Sequence, residues 1–571
     1  MPLTELHKVI KKLDFKAFES LIERSTDINA VDDENKTPLH YAFANNHQGT
    51  MISSLIDRGA DINARDNEGK TPLHYAVDDF TTKVNKYSPK YNKNCGMSVY
   101  SFIMLEHLLN KGPDINAVDN ENKTPLHYAA ENRTNRQIVE FLLSYKPDIN
   151  AVDNKKKTPL HYAAQNRFKA MFFECVSSTE EEIDTVADNP EAGEESQDND
   201  FNDEFIVKNL VDAGAIVDAV DNEGRTPLHL AIYHSNDPIA IKYLIDHGAD
   251  VIAADHEEKQ PLHLAAQHPA AKEIFEYLIE QGADVNVVDR WKQTPLHYSV
   301  IRSYPINRND ENQIDERVEC LLKHGANVDA VDYKGKTALH YAVISKKNSL
   351  EIIESLIRHK ANVDAVDYKS KTALHYAVVS QKNYLKKTEL LVKNKANVNA
   401  VDDECKTPLH LALENSIPVW KFLIDHGADV NSKDRAHRTP LHYAVSKGCI
   451  EIVKYLVEHG AEVNARDDED KTPLHLAFGP SLTYNLVEYL IDHKADYNAT
   501  DRWLETPCHL AARSTDAEGI LEYLVDRGAN FTAMDYYLNI PSLRLVMESD
   551  SDEDDNPPLE IVKNLKRLRD E

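Results

Sequence analysis

Cysteine is scarce in this chain and follows no pattern that would give it a structural task. The six cysteines are far apart in sequence, and no two of them form a Cys-x-x-Cys pair. Such pairs and close spacings mark disulfide frameworks and thiolate metal sites. Their absence disfavours both kinds of site and fits a reducing compartment.

Long apolar runs are also missing. No stretch of 18 apolar residues occurs, and the segment from Met1 to Lys8 contains no apolar run of signal-peptide length. We therefore expect no membrane span and a soluble protein of the cytoplasm, with the nucleus as the alternative location.

Basic residues are outnumbered. The chain has 65 lysines and arginines against 95 aspartates and glutamates, for a formal net charge of -30. Affinity for nucleic acid comes mainly from cations that neutralise phosphates, so a nucleic-acid partner is not expected. The segment 81–100 interleaves lysines with tyrosines and has no acidic residue. We interpret it as a loop that leans on an acidic neighbour or contacts an acidic partner.

Signatures of catalysis are absent as well. There is no glycine-rich phosphate loop, no nucleophile elbow and no His-Glu-x-x-His motif. Carboxylates are abundant, but a pair of them points to catalysis only inside a cleft. We predict a protein that is not an enzyme and has no catalytic residue, cofactor or metal.

What the chain does contain is a repeat, whose clearest copy begins Thr439-Pro440-Leu441-His442-Tyr443-Ala444. The steps between copies are 32 to 35 residues, apart from three longer ones. A period of this length is the signature of a stacked solenoid. The copies begin at Thr37, Thr71, Thr124, Thr158, Thr226, Gln260, Thr294, Thr337, Thr372, Thr407, Thr439, Thr472 and Thr506.

Each copy predicts two helices and a connecting finger. Thr439 stands at a helix N-cap, and Pro440 stands at the first helical position, where its missing N–H costs nothing. Gly448 ends this short helix, and Gly460 closes a second helix whose apolar residues share one face. The segment after Gly460 alternates and turns like a hairpin. A helix pair of this size must stack on its neighbours to bury its apolar face.

These residues resemble the ankyrin repeat. The resemblance lies in the Thr-Pro-Leu-His opening, the Gly-Ala after the second helix and the Asp-Val-Asn-Ala finger, and it covers about residues 4 to 546. It implies an all-α repeat solenoid of helix-turn-helix units with β-hairpin-like fingers, whose concave face binds other proteins. It also implies that the motif histidine makes hydrogen bonds that tie the repeat together.

The predicted organisation is an N-terminal capping repeat over 1–36, an array over 37–546 and a tail over 547–571. Insertions are expected at 78–101, 177–204 and 302–312, each in the turn between the two helices of a repeat. The insertion at 177–204 holds twelve acidic residues and no lysine or arginine, so we expect it to stay disordered. The shared edge of the three insertions indicates either a binding edge or tolerated surface variation.

The 26 histidines raise the question of a metal site. Motif histidines occur once per repeat, hence about 10 Å apart along a stack, whereas zinc needs its ligands about 2 Å from one ion. A second set, which includes His247 and His459, ends second helices, where a donor side chain suits the exposed carbonyls. We predict structural roles for both sets. The tyrosine after the motif histidine is interpreted as a semi-buried packing residue.

The two residues that follow the finger aspartate change along the chain. They are mostly Asn-Glu or Asp-Glu in the early repeats and become aromatic or basic later. Aromatic residues and arginine dominate the binding energy of interfaces. An exposed tip has no packing need for tryptophan, although a tip aromatic can instead lie across the neighbouring finger. The candidate partner-binding residues are Arg290, Trp291, Tyr333, Tyr368, Arg435, Arg502, Trp503 and Tyr536.

The tail opens with six acidic residues in eight, from Glu548 to Asp555, and continues with an amphipathic segment over 557–569. This segment predicts a helix that folds back over the last repeat. Two weaker matches are to a basic nuclear localisation segment at 563–569 and to the opening of an F-box-like motif at 558–561.

The expected function is that of a scaffold or adaptor that is monomeric and binds partner proteins through the concave surface from the seventh unit onward. One alternative is a host-directed effector or ubiquitin-ligase substrate adaptor that acts through the tail. Another is an enzyme or channel fragment whose further domain lies outside this sequence. Ankyrin units share a scaffold and not a ligand, so no partner's identity is predicted.

Overall fold

The computed structural model describes most of the repeat region. Within the described ranges the structure has 28 α-helices and no β-strand, so the predicted all-α repeat solenoid is confirmed. The described residues are 4–24, 27–44, 49–78, 99–131, 136–165, 204–234, 238–267, 272–301, 311–345, 349–415, 418–479, 483–513, 518–537 and 539–541.

The chain forms two compact units, and the first is Met1–Ala326. In both units the odd-numbered helices are the first helices of their repeats, and the even-numbered helices are the second helices. The described helices of this unit are α1 Glu5–Lys12, α2 Phe15–Glu23, α3 Pro38–Ala44, α4 Gly49–Asp57, α5 Pro72–Asp78, α6 Val99–Asn110, α7 Pro125–Glu131, α8 Arg136–Ser144, α9 Pro159–Gln165, α10 Glu204–Asp212, α11 Pro227–His234, α12 Pro238–Asp246, α13 Pro261–Gln267, α14 Lys272–Glu280, α15 Pro295–Val300 and α16 Glu311–Lys323.

The second unit is Asn327–Glu571. It repeats the same alternation of a short first helix and a second helix. Its described helices are α17 Ala338–Ile344, α18 Ser349–Arg358, α19 Ala373–Val378, α20 Tyr384–Lys393, α21 Pro408–Glu414, α22 Trp420–Asp425, α23 Pro440–Ser446, α24 Ile450–Glu458, α25 Pro473–Leu476, α26 Tyr484–Asp492, α27 Pro507–Arg513 and α28 Glu518–Asp526.

The helix boundaries follow the residues that predicted them. Thr439 is an extended N-cap with φ -88° and ψ 165°, and Pro440 occupies the first helical position of α23. Gly448, with φ 69°, follows that helix, and Gly460, with φ 88°, follows α24. Positive φ is costly for residues with a Cβ, which explains glycine at both places. The N–H groups of Gly460 and Ala461 return to carbonyls of the last helical turn, as in a Schellman motif.

The core of each unit runs along the stack and not within one repeat. In each unit the first helices of successive repeats pack on one another, and second helices pack on neighbouring second helices. The motif leucine, such as Leu441, and the apolar residues of second helices, such as Val453 and Leu456, are fully buried. Burial of one such side chain stabilises the fold by about 2 kcal/mol, so every interface between repeats contributes.

In three repeats the two helices of the repeat are separated by more residues than in the others. These longer separations fall between α5 and α6, between α9 and α10, and between α15 and α16. Helices α6, α10 and α16 begin at Val99, Glu204 and Glu311, so they take up the last residues of the ranges 78–101, 177–204 and 302–312. The remainder of these insertions, apart from Asp78, and the tail over 547–571 lie outside the described residues.

The N-terminal repeat keeps the motif in reduced form. Thr4 caps α1, and its hydroxyl lies 2.6 Å from Nδ1 of His7. Nε2 of His7 contacts the carbonyl oxygen of Lys36 at 2.9 Å. This repeat is therefore tied to its neighbour by the same histidine that the later repeats use.

Candidate protein-binding face

A buried aspartate shapes each finger. Oδ1 of Asp434 accepts hydrogen bonds from the N–H groups of Ala436, at 2.9 Å, and Arg438, at 2.8 Å, and Oδ2 accepts one from the Tyr443 hydroxyl, at 2.7 Å. Burial acts to raise the pKa of Asp434, but these hydrogen bonds and the Arg438 charge outweigh it and lower the pKa. The same three hydrogen bonds recur at Asp32, Asp66, Asp119, Asp153, Asp289, Asp332 and Asp367.

Backbone hydrogen bonds join the tips of successive fingers. We name the two residues after the finger aspartate the first and second tip residues, and the residue four after it the stem residue. The N–H of a first tip residue donates to the carbonyl of the preceding second tip residue, as from Asn67 to Glu34, at 2.9 Å, and from Tyr368 to Lys334, at 3.0 Å. Because the backbone makes these bonds, tip side chains can vary without loss of the connection.

Each motif histidine links its repeat to the next. The N–H of Thr439 donates to Nδ1 of His442 at 3.1 Å, and Nε2 of His442 donates to the carbonyl of Lys471 at 3.1 Å. This pattern requires a neutral ring with its proton on Nε2. Burial lowers the pKa of His442, and the hydrogen bond to the Lys471 carbonyl offsets part of that effect. The predicted structural role of the motif histidines is confirmed.

The second set of histidines closes second helices. Nδ1 of His459 donates to the carbonyl of Tyr455 at 2.8 Å, and Nδ1 of His247 donates to the carbonyl of Tyr243 at 2.8 Å. Both rings also stack on the tyrosine that they cap. These contacts confirm the predicted helix-end role. In the described part of the chain, no three His, Cys, Asp or Glu side chains are grouped as metal ligands.

Comparison with known families agrees with this geometry. A family model described as ankyrin repeats, in three copies, matches residues 6–85, 98–177, 198–289, 262–367, 306–402, 379–467 and 464–535. The chain belongs to the ankyrin repeat family. No curated protein sequence matches it significantly. Ankyrin repeats are generally modules for protein–protein interaction, so the ankyrin fingers form the candidate binding face.

The candidate tyrosines of the ankyrin fingers are exposed. Tyr333, Tyr368 and Tyr536 are first tip residues, with exposed fractions of 55%, 65% and 68%. The structure thus brings Tyr333 and Tyr368 onto adjacent fingers. Neither ring is required for the backbone bond between those fingers, which the Tyr368 N–H makes. Their side chains are available to a partner.

The two candidate tryptophans are second tip residues and are only half-buried, not fully exposed. The ammonium of Lys259, in the preceding finger, lies 5.3 Å from the Trp291 ring centroid, and that of Lys471 lies 4.8 Å from the Trp503 ring centroid. These contacts support the alternative that a tip aromatic lies across the neighbouring finger, because each ring lies against a lysine of the preceding finger. Their role in partner binding stays a prediction.

The candidate arginines Arg290, Arg435 and Arg502 are exposed first tip residues. The guanidinium groups of Arg290 and Arg502 lie 5.7 Å and 5.3 Å from the ring centroids of the adjacent tryptophans. Arg435 donates to the carbonyl of Asp403 in the preceding finger. These contacts orient the three charges while leaving them open to solvent.

Sequence reasoning missed exposed aliphatic residues that precede the finger aspartates in both units, with Val152, Val220 and Val288 as examples in the first. Val331, Val366 and Val401 each precede a finger aspartate and are 50%, 55% and 51% exposed. The signal was present, because the buried aspartate must be followed and preceded by residues that point away from it. Exposed valines on three successive fingers add apolar area beside Tyr333 and Tyr368.

Half of the fourteen described fingers neutralise their own tip. A glutamate at the second tip position pairs with the lysine or arginine at the stem position, as in Lys36–Glu34 at 2.7 Å, Lys70–Glu68 at 3.1 Å and Lys259–Glu257 at 2.8 Å. The fingers at Asp153, Asp332 and Asp367 have a lysine at the second tip position instead. Of these three basic fingers, those at Asp332 and Asp367 also carry a tip tyrosine.

The tyrosine after the motif histidine belongs to the packing. Tyr128 and Tyr443 are buried, and each donates its hydroxyl to a finger aspartate. The edge of the Tyr443 ring packs against His410 of the preceding repeat at 5.5 Å. The predicted packing role is confirmed, and these rings are not part of the exposed face.

A shallow depression lies between fingers of the second unit. It is lined by Glu404, Lys406, Asp434, Arg435, Ala436, Arg438 and Asp468. Its walls are charged and open to solvent, unlike the apolar walls of a typical small-molecule site. No helix in the described residues is both long enough and apolar enough to cross a bilayer. The four described cysteines, Cys320, Cys405, Cys449 and Cys508, are free thiols.

Proposed function

We propose that this ankyrin repeat protein is a non-catalytic scaffold or adaptor whose finger tips bind partner proteins. The observation that carries the proposal is the combination of exposed tyrosines and arginines with a finger backbone that holds itself in place. Aromatic and arginine side chains contribute most binding energy when a partner desolvates them. Because the backbone is already ordered, little conformational entropy is lost on binding.

Proximity labelling in the native cell tests this proposal. A variant with Tyr333→Ala, Tyr368→Ala and Tyr536→Ala removes exposed rings, and a second variant with Trp291→Ala and Trp503→Ala removes half-buried rings. A matched control, Asn120→Ala with Asn222→Ala, alters first tip residues of early fingers. We expect the tyrosine variant to lose partners that the control retains. If circular dichroism and every labelled partner stay unchanged in all three, the tips are not the binding site.

We further propose that the protein acts as a monomer in the cytoplasm. These two features rest on the sequence alone, through its acidic charge, its lack of paired cysteines and its lack of long apolar runs. Light scattering over a wide concentration range tests the first, and imaging of a fluorescent fusion tests the second. A mass that rises with concentration, or exclusive nuclear fluorescence, would contradict them. The predictions for a ligase-recruiting or nuclear-localising tail fall on 547–571, outside the described residues.

A further inference from the structure

We propose that the fingers at Asp332 and Asp367 form a docking site for an acidic segment of a partner protein. The site, termed the basic-aromatic patch, comprises Val331, Tyr333, Lys334, Val366, Tyr368 and Lys369. The inference rests on the proposed function and specifies the chemistry of one partner.

Charge is the first argument for the patch. Lys334 and Lys369 occupy the position at which half of the described fingers carry a glutamate that pairs with the stem lysine or arginine. The finger at Asp153 also has a lysine at this position, Lys155, but it has no tip tyrosine. In the described residues, neither Lys334 nor Lys369 makes an ion pair with a carboxylate. The stem lysines are engaged elsewhere, since Lys336 lies 3.2 Å from Oδ2 of Asp367 and Lys371 lies 3.7 Å from Oδ2 of Asp402. Two cationic tips are thus left for an external anion in a chain of net charge -30.

Close approach of the two fingers is the second argument. The Tyr368 N–H donates to the Lys334 carbonyl at 3.0 Å. Gly335 has φ 73°, and a Cβ there would lie only 2.9 Å from the Tyr368 nitrogen. The tips are therefore fixed side by side, and the Lys334 ammonium lies 5.0 Å from the Tyr333 ring centroid. Each finger presents an aromatic ring and a cation together.

The apolar residues decide between kinds of anion. Val331, Tyr333, Val366 and Tyr368 are at least half exposed and belong to the same two fingers as the two lysines. A nucleic-acid backbone needs a long track of cations, whereas the finger at Asp402 has Glu404 at its second tip position. A short peptide with carboxylates and aliphatic side chains matches both the lysines and the apolar surface.

The spacing of the fingers restricts the sequence of that peptide. Stacked repeats are separated by about 10 Å, and an extended segment in the polyproline II conformation has three residues per turn and rises about 3.1 Å per residue, so that residues three apart share one face. Carboxylates three residues apart therefore reach Lys334 and Lys369 at the same time. The structure assigns the patch to an extended segment of the form acidic-x-x-acidic with aliphatic residues between.

Fluorescence anisotropy with the full chain tests the assignment. The probe is a labelled peptide of about twelve residues with glutamate at every third position and valine or leucine between. A second probe of the same composition has its glutamates contiguous, and a third has glutamine in place of glutamate. We expect saturable binding of the first probe, at least several-fold weaker binding of the second, little binding of the third, and loss of affinity between about 50 mM and about 300 mM salt.

Two variants and a control locate the binding. Lys334→Glu with Lys369→Glu introduces the residue type found in other fingers and is expected to weaken the first probe by at least about tenfold. Tyr333→Ala with Tyr368→Ala is expected to weaken it by about threefold to tenfold. The control, Lys155→Glu with Lys156→Glu, makes the same charge change on the finger at Asp153, which lacks a tip tyrosine, and should stay within about twofold.

Several outcomes would overturn the assignment. These are equal weakening by the control, no saturable binding of any peptide, and tighter binding of a single-stranded oligonucleotide than of the first probe. Binding that appears only after the acids of 548–555 are neutralised would assign the patch to this chain's own tail. If the peptides fail while the tyrosine variant still loses partners in the labelling experiment, the proposed function stands and only the acidic chemistry is wrong.

Discussion

The fingers of the two units have the same backbone and different tip charges. In five of the seven fingers of the first unit, a glutamate at the second tip position pairs with the stem lysine or arginine, as at Lys36–Glu34 and Arg225–Glu223, and the other two fingers carry Lys155 and Trp291 there. In the second unit the corresponding residues are lysine, glutamate, alanine, tryptophan or tyrosine. Both units retain the buried aspartate and the hydrogen bonds between successive tips. The comparison separates residues that build the scaffold from residues that the scaffold presents.

This separation has a physical origin. The finger aspartate, the motif histidine and the tip N–H satisfy the buried polar groups of each repeat, so a change in any of them leaves a donor or acceptor without a partner. The tips project into water, where a change of side chain alters mainly charge and apolar area. Substitution of an equivalent scaffold residue should therefore lower stability equally in the two units. Substitution of tip residues should change partner binding by different amounts in the two units.

Acidification should have the largest effect, and it should act on both units. Burial lowers the pKa of motif histidines, to about 4 at His74 in the first unit, and also lowers that of His442 in the second. Since the unfolded chain titrates near 6.5, it binds more protons than the folded chain between that pH and the folded pKa, and stability falls as pH falls through this window. At His74 the loss amounts to about 3 kcal/mol, and losses at other repeats add to it.

Thermal melts followed by circular dichroism from about pH 7.5 to about pH 5 would measure this loss. Asp434 does not contribute in that range, because its pKa is lowered from an already acidic value. A melting temperature that is constant over the range would contradict the neutral histidine links.

Removal of one motif histidine should have the next largest effect. His127→Ala in the first unit and His442→Ala in the second each delete two buried hydrogen bonds and leave a cavity, at a cost of about 2 to 4 kcal/mol. Hydrogen exchange of the flanking helices is the suitable measurement, because a long repeat array does not unfold in one step. His459→Ala, at an exposed helix end, is the control and should cost less than about 1 kcal/mol. Unequal costs in the two units would break the comparison.

Much of this scaffold was predictable from single residues. Thr439-Pro440 predicted a helix start, Gly460 predicted a helix end, and the once-per-repeat spacing of His442 and its equivalents predicted structural histidines. These predictions succeeded because each rests on local backbone geometry or on the period of the repeat.

The candidate site was predicted less completely, for a reason that is also physical. Whether a tip side chain is exposed depends on the neighbouring finger, which the sequence of one repeat does not contain. For Trp291 the sequence left open whether the ring is free or lies across the neighbouring finger, and the structure places it against Lys259 of the preceding finger. Val331 and Lys334 were overlooked because their significance appears only when the pairing of tip glutamate and stem lysine is seen in other fingers.

Each unit also contains a buried cation at an equivalent position of a second helix. The two cations should give the units a moderate difference in how stability depends on alkaline pH. Arg317 and Lys387 stand nine residues before Ala326 and Ala396, where other repeats carry residues such as Ile274. Arg317 donates to the carbonyl of Ala266, and Lys387, 1% exposed, donates to the carbonyls of Val343 and Ser345. Both cations thereby cap the end of a first helix.

Burial lowers the pKa of Lys387 to about 8, whereas arginine stays charged at any pH used. Between that value and the ordinary lysine pKa, the unfolded chain holds a proton that the folded chain has lost, so stability of the second unit rises with pH. The gain is about 1 kcal/mol by about pH 9. Lys387→Met should abolish the rise, and Arg317→Met should leave it unchanged. Hydrogen exchange in α17 and α20 at two alkaline pH values measures this rise. Equal changes in Lys387→Met and in the unmodified protein would contradict the role of Lys387.

Transfer of the tip residues from one unit to the other should have the smallest effect on stability. The adjacent fingers at Asp66 and Asp119 match those at Asp332 and Asp367 in backbone, because Gly69 and Gly335 have φ 78° and 73°, and Asn122 and Ser370 have φ 60° and 55°. Asn67→Tyr, Glu68→Lys, Asn120→Tyr and Glu121→Lys would convert the first pair into a basic-aromatic pair. The substitutions remove exposed ion pairs, such as Lys70–Glu68, and side-chain bonds from Asn67 and Asn120, for a total cost of about 1 to 2 kcal/mol.

The same transfer should create a second site for the peptide with glutamate at every third position. We expect two binding sites per chain in a titration monitored by calorimetry, and one again after Lys334→Glu with Lys369→Glu is added. A graft that unfolds the neighbouring helices would show that tip side chains belong to the scaffold after all. A graft that folds but binds no peptide would show that Val331, which has Arg65 as its counterpart in the first unit, is required for recognition. The first result would move tip residues into the scaffold, and the second would add a residue outside the tip to those that recognise the peptide.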